Sequence, residues 1–88
     1  MKDKITIKTE QGEKEYDIVF SFNKNGKEIV TYTDYQKDEN NNIKCYSCEY
    51  QEDGKINEVT DPETIKNIKD ILKTITETTK YKYSKKGE

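Results

Sequence analysis

The chain contains no histidine, no arginine, no alanine and no tryptophan, with one proline and two cysteines. Each scarcity removes chemistry. Without histidine, the usual general base near neutral pH and the commonest metal ligand are missing. Without arginine there is no bidentate phosphate clamp and no partner for the commonest guanine contact. No apolar run approaches membrane-spanning length, and the first ten residues hold no apolar h-region, so neither a span nor a signal peptide is expected. The expected location is cytoplasmic, where Cys45 and Cys48 stay reduced.

What remains is a chain of 88 residues, 30% hydrophobic and 39% charged. That length holds one domain, and a composition this polar allows only a thin core. The apolar residues that are present, ten Ile, three Val, seven Tyr and two Phe, are β-branched or aromatic and recur with clear periods. The chain therefore reads as folded rather than disordered. Its net charge of −2 is unevenly spread, with −4 over residues 1–60 and +2 over residues 61–88. A mildly acidic first part with a basic end does not mark a nucleic-acid or membrane protein.

Strands come first. Lys4 to Thr9 alternates, with Ile5 and Ile7 on one face. Glu13 to Asn23 alternates again, placing Tyr16, Ile18, Phe20 and Phe22 together. Asn23-Lys24-Asn25-Gly26 reads as a hairpin turn, since Asn and Gly tolerate positive φ. Lys27 to Tyr35 is a third strand whose blurred alternation implies two covered faces or a bulge. Polar residues 36–42 read as a mobile loop. Ile43 to Gln51 is a fourth strand, with Tyr46, Cys48 and Tyr50 facing away from Ile43 and Cys45, and Lys55 to Val59 is a short fifth.

A helix from Asp61 to about Thr79 follows. Asp61-Pro62 sets a capping acceptor before a proline at the first helical position, and Glu63 favours the helix dipole. Ile65, Ile68, Ile71, Leu72 and Ile75 form one apolar stripe, with Lys66, Lys69, Asp70, Lys73 and Glu77 on the wet side. The expected partner of that stripe is the Tyr16/Ile18/Phe20/Phe22 face. The fold class is thus α+β: an antiparallel β-sheet of four to five strands in hairpins, with one C-terminal amphipathic helix packed on one face. Residues 1–79 make a single domain, and residues 80–88 a basic, flexible tail.

Cys45-Tyr46-Ser47-Cys48 is a lone Cys-x-x-Cys. Structural zinc needs four ligands, and a redox dithiol wants a helix N-terminus. On a strand, positions i and i+3 point to opposite faces, which disfavours both a disulfide and a shared metal. No cofactor or metal is expected. Glu13, Glu15, Asp17 and Glu49 read as a solvent face rather than an acid–base pair, so an enzyme is not expected. Tyr32, Tyr46 and Tyr50 form either an aromatic platform on which bases stack or cross-strand packing; acidic surroundings favour packing.

Lys4-Ile-Thr-Ile7, Gly12, Tyr16-Asp-Ile-Val-Phe-Ser-Phe22, Asn25-Gly-Lys-Glu-Ile-Val-Thr-Tyr32 and Glu58 to Leu72 together resemble the YrzB-like family, also labelled domain of unknown function 1292. The resemblance covers about Lys4 to Glu77. It departs at Ile29, where Tyr is common, in a less acidic middle, and in the Cys pair. The resemblance implies a small cytoplasmic protein of low-GC Gram-positive bacteria and brings no catalytic residues with it.

The expected function is a non-catalytic protein-interaction module, monomeric or weakly dimeric, with no membrane partner. Its binding residues are expected to be Ile29, Tyr32, Tyr35, Tyr46 and Tyr50, beside free sheet edges. The alternative is a nucleic-acid-associated factor acting through the Lys-rich helix and tail, with Lys80, Lys82, Lys85 and Lys86 touching an anionic partner. A small acidic inhibitor of a nucleic-acid enzyme is a further alternative.

Overall fold

The computed structural model of the protein describes residues 4–53, 55–75 and 80–84. Along the chain lie β1 (Lys4–Thr9), β2 (Gly12–Lys24), β3 (Lys27–Thr33), β4 (Ile43–Tyr50), β5 (Ile56–Glu58), α1 (Pro62–Ile75) and β6 (Tyr81–Tyr83). Strands β1 to β5 pair antiparallel in chain order, and β6 joins β4 in parallel. An α+β architecture dominated by antiparallel sheet results. The strands curl into a half-barrel, bringing Lys8 Nζ of β1 within 3.4 Å of the Asp53 carbonyl oxygen at the β4–β5 turn. Asn25 and Gly26, at φ 53° and 79°, form the two-residue turn that a tight hairpin requires.

Both faces of the sheet are packed. Ile5, Ile7, Tyr16, Val30, Tyr32 and Cys48 form one core, flanked by Ile18, Tyr46, Tyr50 and Ile56. Ile29, Ile43, Cys45, Val59, Ile68 and Leu72 form the other, flanked by Val19, Phe20, Phe22, Ile65, Tyr81 and Tyr83. β3 accordingly shows unbroken burial from Ile29 to Thr33, which explains its blurred alternation. The register shift lies in β2 instead: Ile18 faces Tyr32 and Phe20 faces Thr31, so Val19 is the extra residue. A bulge of one residue moves every later side chain to the opposite face. The expected Tyr16/Ile18/Phe20/Phe22 face is therefore split. Tyr16 and Ile18 belong to the first core, and only Phe20 and Phe22 lie on the helix side.

The helix begins as its sequence predicts. Thr64 N and Thr64 Oγ1 donate to Asp61 Oδ2 at 3.0 and 2.7 Å, and Ile65 N donates to the Asp61 carbonyl at 3.0 Å. The two Thr64 bonds hold the Asp61 carboxyl below its usual range. Lys24 Nζ, at the end of β2, sits 2.8 Å from Glu63 Oε1 and ties the sheet to the first helical turn. Ile68 is completely buried, a burial that contributes about 1.5–3 kcal/mol.

The helix is not the last element. The expectation of a structureless tail over 80–88 fails at Tyr81–Tyr83, which form a strand. Their alternation brings both tyrosine rings against the helix-side core, while the Lys80 carbonyl accepts from Ile43 N at 2.8 Å and Ser84 N donates to the Cys45 carbonyl at 2.7 Å. The expected helix end at 76–79, and Lys85 and Lys86, lie outside the described residues. Residues 36–42 fold around Asp38, whose Oδ1 accepts from Asn40 N at 2.8 Å and Asn42 N at 2.9 Å.

Candidate functional site

The five residues expected to meet a partner do not come together. Ile29, 2% exposed, lies under the helix, whereas Tyr32, 1% exposed, lies in the opposite core. Two covered faces leave neither available to a partner, which corrects the expectation for both. Tyr32 packs edge-on against Tyr16 at 4.8 Å between ring centroids and lies 5.8 Å from Tyr46. Tyr46 and Tyr50 are half-buried beside it, so these rings are cross-strand packing rather than a platform. Tyr35 alone of the five is exposed, at 52%; its hydroxyl bonds Asp17, which pushes the phenol up.

Cys45 and Cys48 are not joined in a disulfide and are buried in different cores, as positions i and i+3 of a strand require. Burial pushes the Cys45 thiol up to about 12, far from a reactive thiolate. Among the described residues, no group of three His, Cys, Asp or Glu is arranged to hold a metal ion. No helix of the described residues is long and apolar enough to cross a membrane.

The feature that does bring functional side chains together is a groove of about 450 Å³ between α1 and β6. Its lining is Lys69, Leu72 and Lys73 from the helix and Tyr81, Lys82 and Tyr83 from the strand. Helical spacing sets Lys69 and Lys73 one turn apart on one side, next to buried Leu72. Lys69 Nζ lies 5.9 Å from the centre of the Tyr83 ring, within reach of a cation–π contact. Among the described residues, no carboxylate lines the groove.

Pairing separates these lysines from five of the ten other described lysines. Lys4, Lys14, Lys24, Lys27 and Lys66 each stand within 4 Å of a carboxylate. Among the described residues, Lys69, Lys73 and Lys82 form no ion pair within that distance; Asp38 feels the field of Lys82 only through space. The result is a cationic, aromatic-floored groove on a net acidic chain. Sequence reading placed Lys69 and Lys73 on a generic wet face and Lys82 in a tail. The one signal that links them is the period-two run Tyr81-Lys82-Tyr83, which is too short to announce a strand by itself.

No family model, no curated protein and no solved structure matches the chain.

Proposed function

We propose that the protein is a non-catalytic interaction module that holds an acidic segment of a partner protein in the groove between α1 and β6. The supporting observation is the set of three lysines, without ion pairs among the described residues, around an apolar and aromatic floor. Carboxylates on the partner would meet Lys69, Lys73 and Lys82, while an apolar side chain between them would cover Leu72, Tyr81 and Tyr83. A volume of about 450 Å³ falls within the range of about 300–1,000 Å³ typical of ligand clefts. The YrzB-like resemblance is part of this proposal and rests on local sequence alone.

A nucleic-acid strand is the second reading, favoured by two tyrosines standing beside the lysines. Magnitude argues against it. Proteins held by the phosphate backbone commonly make about 6–10 phosphate contacts, and this groove offers three lysines and no arginine.

The test is fluorescence anisotropy with a labelled octapeptide of Asp and Glu carrying one central Leu. The peptide is expected to bind, with affinity falling as salt rises. The double variant Lys69→Glu/Lys73→Glu is expected to lose about tenfold or more, and Lys55→Glu, away from the groove, nothing. A single-stranded oligonucleotide that binds tighter than the peptide would replace this reading with the second; absence of peptide binding would end it.

A further inference from the structure

The outer edge of β4 is interrupted. β6 covers it at Ile43 to Cys45 and β5 at Cys48 to Tyr50, leaving Tyr46 and Ser47 between the two strand ends. Ile43 N and the Cys45 carbonyl bond toward β6, so alternation puts the main-chain groups of Ser47 on this same edge. A slot of about 320 Å³ opens there, lined among others by Tyr32, Ser47, Cys48, Asn57, Glu58 and Tyr83.

The slot has the opposite polarity to the groove. Among the described residues, Glu58 is the one charged residue in its lining, and no lysine lines it. Glu58 is exposed and forms no ion pair among the described residues. Its field reaches Tyr83, whose phenol is pushed up first by burial and then by that carboxylate. The half-buried Tyr83 ring therefore stays neutral at physiological pH and offers an electron-rich face and a hydroxyl acceptor to a cation. Tyr83 lines both cavities and forms the wall between them.

We infer that the partner segment is bipolar, with one lysine or arginine side chain seated in the Glu58 slot beside the acidic residues held by Lys69 and Lys73. This rests on the reading of the groove as the site of an acidic segment. A cation entering the slot meets Glu58, the Tyr83 ring and the open edge at Ser47. The neighbouring acidic residues lie across Tyr83, in the field of the lysines. Two adjacent sites of opposite sign discriminate against segments of one charge only, as like charges would then face each other in one of them.

The experiment compares three labelled peptides binding to the full chain. One is the acidic octapeptide extended by lysine at its N-terminal end, one is extended by lysine at its C-terminal end, and the third carries norleucine, the uncharged equivalent, at both ends. One lysine peptide is expected to bind about fivefold tighter than the norleucine peptide, the size of a partly exposed ion pair with a cation–π contact. Glu58→Gln, at an exposed position, is expected to erase that advantage while leaving the norleucine peptide unchanged. Equal binding of all three peptides overturns the bipolar segment and leaves the groove intact. Binding of none overturns the groove reading, and this inference with it.

Discussion

Cys45 and Cys48 stand three residues apart on one strand, yet each is buried in a different core on opposite faces of the sheet. Native protein should therefore resist thiol labelling at both positions, and the labelling rate should rise to that of free cysteine in denaturant. An intramolecular disulfide should form only after unfolding, because the two side chains diverge. Mass measurement after timed alkylation checks both points; fast native labelling of either thiol would contradict the packing.

Val19 is the extra residue of β2, standing between Ile18, which faces Tyr32, and Phe20, which faces Thr31. Its deletion would remove the extra residue and leave Ile18 and Phe20 adjacent, opposite Tyr32 and Thr31 as before, so Phe20 and Phe22 keep facing the core of Ile68 and Leu72. A cooperative melt is expected for that deletion, whereas deletion of Ser21 leaves the bulge in place, turns Phe22 to the other face and should abolish cooperative unfolding. Circular dichroism melts of the two variants separate loss of the bulge from loss of register.

Thr31 Oγ1 and Ser47 Oγ lie 2.7 Å apart across β3 and β4. Thr31→Val leaves the Ser47 hydroxyl without this partner in a half-buried position, at a cost of about 1–3 kcal/mol. Adding Ser47→Ala should recover part of that loss, since both polar groups are then gone. A double-mutant cycle by urea denaturation measures the coupling; strictly additive losses would show that the pair contributes nothing.

Acid should weaken the fold through named carboxylates. Hydrogen bonds from Thr64 lower Asp61, and Lys4 and Tyr35 lower Asp17. Partial burial of Asp34 works the other way but is outweighed by Lys14 and the Gln36 N–H. A depressed folded-state value contributes stability that is fully present above the ordinary carboxylate pKa and is lost as pH falls through the depressed value. The thermal midpoint should thus hold between pH 6 and 5 and drop below about pH 4. Asp61→Ala should lower the midpoint at pH 6 and shrink the acid-induced drop, while Asp61→Asn, which keeps a capping acceptor, should retain more of the midpoint.

Local features were legible in the sequence because they depend on neighbours along the chain. The Asp61-Pro62 helix start, the Asn25-Gly26 turn, the alternation of β1 and the opposed faces of Cys45 and Cys48 all follow from spacing and residue type. Tertiary structure decided the rest. The bulge at Val19 divides an alternating run between two cores, and its position depends on how β3 pairs rather than on β2 itself. Tyr81–Tyr83 is too short to announce a strand alone; it is held by the exposed edge of β4 and by the apolar wall of α1. That same docking gathers Lys69, Lys73 and Lys82 from two separate segments around one groove. Period and capping chemistry determine each element, whereas the gathering of distant charges is a property of packing alone.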